Sequence, residues 1–321
     1  MLADYSLWEM LGFAVIVFVA LIVDLHAHKA DKPISMRDAA LWSVFWILLS
    51  LGFAFYVGET HGKDQGALFL AGYLLEKSLS VDNLFVFMAI FASFSIRDEL
   101  QHRVLYYGII GALILRIVFV AIGTSLLAFG KWALVGFGVF VLWSAWKMWT
   151  QSRQDHEEIV DYSQHWSVRL ATKFFPVYPK VDNHNFFTRQ DGILCCTPLF
   201  LCLVVIEIAD VMFAFDSVPA VIAVTREPFL VYTSNIFAIL GLRSLYFLLA
   251  AAKRFLVHLE KAVIAILAFI GIKMLLDAFG VFHIDPMISL AVVGGLLVLG
   301  IAASVALPGD DRKKEDASVE K

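Results

Sequence analysis

The stretch that decides the fold is YLLEKSLSVDNLFVFMAIF, residues 73–91. It is apolar enough for lipid, yet it carries Glu76, Lys77, Asp82 and Asn83. The chain around it has 321 residues, of which 60% are hydrophobic and 17% charged, and its mean hydropathy is +0.79. Soluble domains average about 45–50% apolar and about 25% charged. The chain therefore reads as a membrane protein with residues 73–91 inside one of its spans. A net charge of −4 gives no sign of nucleic acid as a partner. Cys195, Cys196 and Cys202 are too few, and wrongly spaced, for a disulfide framework or a zinc site.

A crossing needs about 20 mostly apolar residues. By that measure nine spans are expected, at 7–25, 38–57, 67–94, 104–129, 132–150, 198–224, 229–251, 261–279 and 286–307. The leader before the first has no Lys or Arg, so that segment reads as a retained span rather than a signal peptide. With nine spans, Lys and Arg segregate. One set of loops carries Arg37, Arg103, Lys180 and Arg312 among many; the other holds little beyond Lys63, Lys131, Arg226 and Lys273. The positive-inside rule then puts the N-terminus outside and the C-terminus in the cytoplasm.

The polar residues also reveal a duplication. EKSLSVDN at 76–83 and DVMFAFDS at 210–217 share an acid, five residues, an Asp and a small polar residue. One span later, GIIGALILR at 108–116 stands against NIFAILGLR at 235–243. The next gives WKMW at 146–149 against IKML at 272–275. Three helices match three helices in order. An odd repeat crosses the membrane in opposite senses, the inverted plan of secondary transporters. The expected fold is all-α: a polytopic membrane helical bundle with about nine transmembrane helices and two inverted three-helix repeats. Two peripheral helices occupy 1–66, the first repeat 67–150 and a cytoplasmic loop with a short hairpin 151–197. The second repeat occupies 198–280, the last helix 281–308 and a disordered cytoplasmic tail 309–321.

Glu76, Asp82, Glu207, Asp210 and Asp216 would together cost on the order of 10 kcal/mol if left unpaired in lipid. Lys77, Arg116 and Arg243 are the candidate charge partners within the membrane, which leaves acids over to hold a cation or a proton. Asp24, near the end of the first span, is expected to snorkel to water. Glu76, Ser80 and Asn83 share one helix face, as do Glu207, Asp210 and Ser217, whereas Asp82 and Asp216 do not. Convergence of all the acids calls for breaks in both helices, near Asp82 and, beside Pro219, near Asp216. Carboxylate, amide and hydroxyl oxygens suit Mn²⁺, Mg²⁺ or Ca²⁺. Crowded carboxylates also attract protons, a route to cation/proton exchange. The acidic cluster at 155–158 and His184 read as solvated loop residues.

The segments GYLLEKSLSVDNLFVF, IEIADVMFAFDSVPAV, TSNIFAILGLRSLYFLL and FIGIKMLLDAF resemble the TerC family of integral membrane proteins over nearly the whole chain. The DNHNFF loop at 182–187 and the overall length look most like its Alx branch. The resemblance implies a bacterial inner-membrane exporter of manganese, linked by name to tellurium resistance. It places metal ligands at Glu76, Asp82, Asn83, Glu207, Asp210, Asp216 and Ser217. Mn²⁺ is then the transported ion, with no tightly bound cofactor. Protons, the lipid bilayer and a homo-oligomeric assembly are the other expected partners. The alternative is an accessory factor for insertion or metalation of other proteins. No H-E-x-x-H or G-x-S-x-G motif is present, so an enzyme is not expected.

Overall fold

Lipid offers no hydrogen bonds to a backbone, so apolar runs of this length fold as helices. The computed structural model describes residues 5–27, 36–152, 168–169, 172–173, 176–178, 185–190, 192–252, 259–282 and 284–306. The readings of the 155–158 cluster, of His184 and of the 309–321 tail lie outside those residues, as do the side chains of Asp82 and Asp216.

The helices are α1 (Leu7–Ala27), α2 (Met36–His61), α3 (Lys63–Ser93), α4 (Asp98–Leu126) and α5 (Lys131–Ser152). After a two-stranded hairpin come α6 (Pro198–Val224), α7 (Pro228–Ile239), α8 (Leu242–Ala252), α9 (Leu259–Ala278) and α10 (Pro286–Ala306). In the hairpin, β1 (Phe187–Gln190) pairs antiparallel with β2 (Ile193–Cys196), and Gln190 faces Ile193. Among the described residues, six helices are long and apolar enough to cross a membrane, or seven if α7 and α8 form one bent span. Helices α3 and α9 are long but too charged for that count: Glu76, Lys77 and Asp82 interrupt one, and Lys261, Lys273 and Asp277 the other. The chain is an all-α, multi-pass membrane protein.

Helix α3 lies at the centre, against α2, α6, α7 and α10. That position keeps its charges away from lipid. Contacts of α3 with α7 ascend both helices together, Gly72 to Ser234 and then Lys77 to Ala238, so the two run parallel. Helices α4 and α6 are likewise parallel, with Gly108 at Ile206 and Gly123 at Ile222. Helices α5 and α9 run antiparallel, with Gly138 facing Leu275 and Leu142 facing Gly271.

The expected breaks near Asp82 and Asp216 do not occur. Helices α3 and α6 are continuous, and α6 passes through Pro219. A proline costs its helix one amide donor and some crowding, which packing on neighbouring helices can absorb. The broken span is the next one: α7 and α8 meet at 45°. Gly241 turns the chain there at φ +76°. The Trp46 ring fills the space that a β-carbon would need, so both backbone and packing call for glycine.

The α5–α9 seam is testable. A β-carbon at Gly271 would lie 2.7 Å from Leu142 Cγ and 3.1 Å from the Gly138 carbonyl. Gly271→Ala should lower stability by about 1–3 kcal/mol in thermal unfolding in detergent. Gly294→Ala, with nothing within 4 Å of the new carbon, should not.

Candidate cation site

The site forms where α3, α4, α6 and α7 meet. Glu76 on α3 is fully buried and Arg116 on α4 is 2% exposed. The guanidinium Nη1 of Arg116 donates to Glu76 Oε1 in a tight ion pair. The same nitrogen donates to Asn235 Oδ1 at 2.9 Å and to Ser217 Oγ at 3.2 Å. Its Nη2 lies 3.7 Å from Asp210 Oδ1. Asn235 closes the ring by donating from Nδ2 to Glu76 Oε2 at 3.3 Å. Acids from the two matching segments thus share one arginine.

Glu207 stands one helical turn before Asp210. Its carboxylate occupies the place where a β-carbon on Gly111 would sit, so the glycine on α4 makes room for the acid. Among the described residues, Glu207 Oε2 and Asp210 Oδ2 are buried without a hydrogen-bond partner. Buried polar atoms are normally satisfied, and an orphaned carboxylate oxygen is costly. Asp210 also lines a cavity of about 20 Å³ with Gly108, Ile206 and Arg243. That is room for one water-sized occupant.

Of the residues expected at a site, Glu76, Asp210, Ser217 and Arg116 are brought together in one cluster, with Glu207 at its edge. Asn83 is buried, but no hydrogen bond among the described residues joins it to Arg116 or to the acids. No group of three or more His, Cys, Asp or Glu side chains gathers to hold a metal among the described residues. An oxygen site here would have to be completed by amide, hydroxyl or backbone groups, or by the Asp82 and Asp216 side chains, which lie outside the description.

Two expected charge partners do other work. Lys77 Nζ donates to the carbonyls of Ala238 at 3.1 Å and Leu240 at 3.4 Å. It serves the orphaned carbonyls at the α7–α8 break rather than an acid. Arg243 pairs with Asp24 on α1, with Nη2 3.1 Å from Oδ2, and also donates to the Asp24 carbonyl. Asp24 is only 7% exposed, so the expectation that it snorkels to water is corrected. Its burial follows from the arginine it meets. Sequence reasoning missed Asn235 as a site residue, although a lone amide in an apolar run was the available signal.

Residues 61–312 match the profile of the Integral membrane protein TerC family. The chain is 50% identical over 335 residues to the tellurium resistance protein TerC of Serratia marcescens, covering 95% of this chain and 96% of that protein. It is 49% identical over 325 residues to the protein of the same name from an Alcaligenes species, covering 92% and 94%. Against Alx of Escherichia coli (strain K12), described as a membrane-bound redox modulator, identity is 43% over 298 residues, covering 90% and 91%. No solved structure matches the chain. With the motifs of α3, α6 and α7–α8 inside the matched region, and with relatives of this identity over nearly full length, the chain belongs to the TerC family of integral membrane proteins.

Proposed function

We propose that this protein exports a hard divalent cation, manganese foremost, across the bacterial inner membrane in exchange for protons. One observation carries the reading. Glu76 and Asp210, from two matching segments, converge on one buried guanidinium, and carboxylate oxygens of Asp210 and Glu207 are left without donors. Oxygen donors favour a hard cation. Manganese among such cations is what the family resemblance implies.

The helix directions support the inverted-repeat plan with nine spans. If α3 corresponds to α6 and α4 to the α7–α8 span, a two-fold exchange turns the parallel α3–α7 contact into the parallel α6–α4 contact. The antiparallel α5–α9 pair maps onto itself. Opposite threading of the halves around a central site is the arrangement used for alternating access. The lysine and arginine bias favours an outside N-terminus and a cytoplasmic C-terminus.

Arg116 occupies the place of the cargo. Two charges 4 Å apart interact by about 4 kcal/mol at an effective dielectric of 20, so guanidinium and dication cannot share the pocket cheaply. On arrival the cation takes over Glu76 and Asp210. The guanidinium keeps Ser217 and Asn235, neutral acceptors that it already reaches. Without cargo Arg116 balances one of its two acids and a proton balances the other, so the empty carrier can reorient without crossing the membrane as an uncompensated anion. Glu207, Asp82, Asp216 and Asn83 complete the proposed ligand set, with protons as competitors.

Thiol redox chemistry draws no support from the hairpin. Cys195 and Cys196 are buried and not joined in a disulfide, and burial pushes the Cys196 thiol up. A raised thiol forms little thiolate. The accessory-factor reading would put the function in the cytoplasmic loop and predicts stable co-purifying partners.

The deciding experiment is divalent-metal flux in proteoliposomes, with and without a pH gradient. Manganese flux that is driven by the gradient is expected, and its absence for every ion tested would sink the proposal. In cells, Asp82→Asn, Asp210→Asn or Asp216→Asn should raise manganese content to that of a deletion strain while the protein remains inserted. Arg116→Gln strands buried acids and should cost about 3–5 kcal/mol of stability. Because cargo stabilises whichever state binds it, added Mn²⁺ should raise the Tm of that variant more than that of the parent. An equal response in both would contradict the shared pocket.

A further inference from the structure

The half-helix α7 is bounded by two arginines, and each is tied across to another helix. Arg226, just before its first residue, pairs with Asp277 on α9. Arg243, just beyond its break, pairs with Asp24 on α1. Each pair adjoins a cavity. On the first side is a vestibule of about 510 Å³ lined by Thr124, Gly130, Lys131, Arg226, Glu227 and Asp277. On the other is the cavity of about 20 Å³ that Arg243 shares with Asp210. Between vestibule and cluster stands an apolar wall, where Ile222 and Val218 close on Gly123. From Thr124 at the vestibule to Arg116 at the cluster is eight residues of α4, about 12 Å.

We propose that α7 is a gating half-helix held by two alternating latches, Arg226–Asp277 on the vestibule side and Arg243–Asp24 on the other. The proposal rests on the exporter reading. The two latches differ in strength. The Arg226 side chain is 45% exposed, and exposed pairs contribute about 0–1 kcal/mol, so this latch opens readily. The Arg243–Asp24 pair is buried, and breaking it strands a charge. The pivot is Gly241, with the Lys77 ammonium holding the Ala238 and Leu240 carbonyls just before it. Asn235 lies within α7 and bonds both Arg116 and Glu76, so a change at the cluster is transmitted to the element that both latches hold.

The test reads water access and needs no cargo. Cys195, Cys196 and Cys202 are replaced by Ala, and Ile222→Cys puts a thiol in the wall. The labelling rate by a charged methanethiosulfonate is measured on the detergent-solubilised protein. Asp277→Asn and Arg226→Gln should each raise that rate tenfold or more. The exchange Arg226→Asp with Asp277→Arg should return it towards the parent. Asp24→Asn should leave it unchanged or slower, because freeing the opposite latch favours the state in which the vestibule is shut. Equal labelling in the parent and both single variants overturns the proposal. So does an equal rise in Asp24→Asn, which would mean general loosening. Vesicles without metal flux would count against the exporter reading alone, and the labelling rates would still decide the latches.

Discussion

The organising interaction is the buried guanidinium of Arg116. A charge at that depth costs several kcal/mol unless it is paired and hydrogen-bonded. Its partners come from α3, α6 and α7. One side chain on α4 therefore ties four helices together, and the register of each against the others is set by the need to satisfy it. A well-packed apolar core would serve stability as well or better. The persistence of charge at this point is thus an argument about what the site does. It has four acceptors around one cation and further carboxylate oxygens left unmet at Asp210 and Glu207.

The two arginines of the matching segments, Arg116 and Arg243, meet different partners. Arg116 lies within a continuous helix and faces the acids. Arg243 stands next to a break and turns away to Asp24 on α1. The break separates them. It exposes carbonyls at Ala238 and Leu240, Lys77 meets those carbonyls, and Gly241 bends the following segment by 45°. Lys77, next to Glu76 in the chain, points its charge away from the acid cluster because successive residues on a helix are about 100° apart. The matching motifs are legible in sequence, but their two arginines work through different neighbours.

Much of the fold was legible because a bilayer leaves few choices. Apolar runs of about 20 residues mark helices, and a polar residue within one marks a site or a pair. Glu76, Asp210, Ser217 and Arg116 were singled out that way, and they lie together in the structure. Pro219 misled, because a proline lowers the local cost of a break without requiring one, and α6 continues through it as one helix. The actual break was signalled only by Gly241, one glycine among 20. Gly111 could not be read as space for the Glu207 carboxylate, since its meaning lies in the helix opposite it.

The sequence by itself determined membrane residence, the all-α class, the family and the residues whose charge must be accounted for. Each of these follows from composition, from local periodicity or from motifs contiguous in the chain. Tertiary structure alone decided which charge meets which. It placed Arg116 between Glu76 and Asp210, Arg243 on Asp24 and Lys77 on the carbonyls of a broken span. Electrostatic partners are chosen by distances of a few ångströms between helices far apart in the chain, and at that range no spacing along the sequence carries the information.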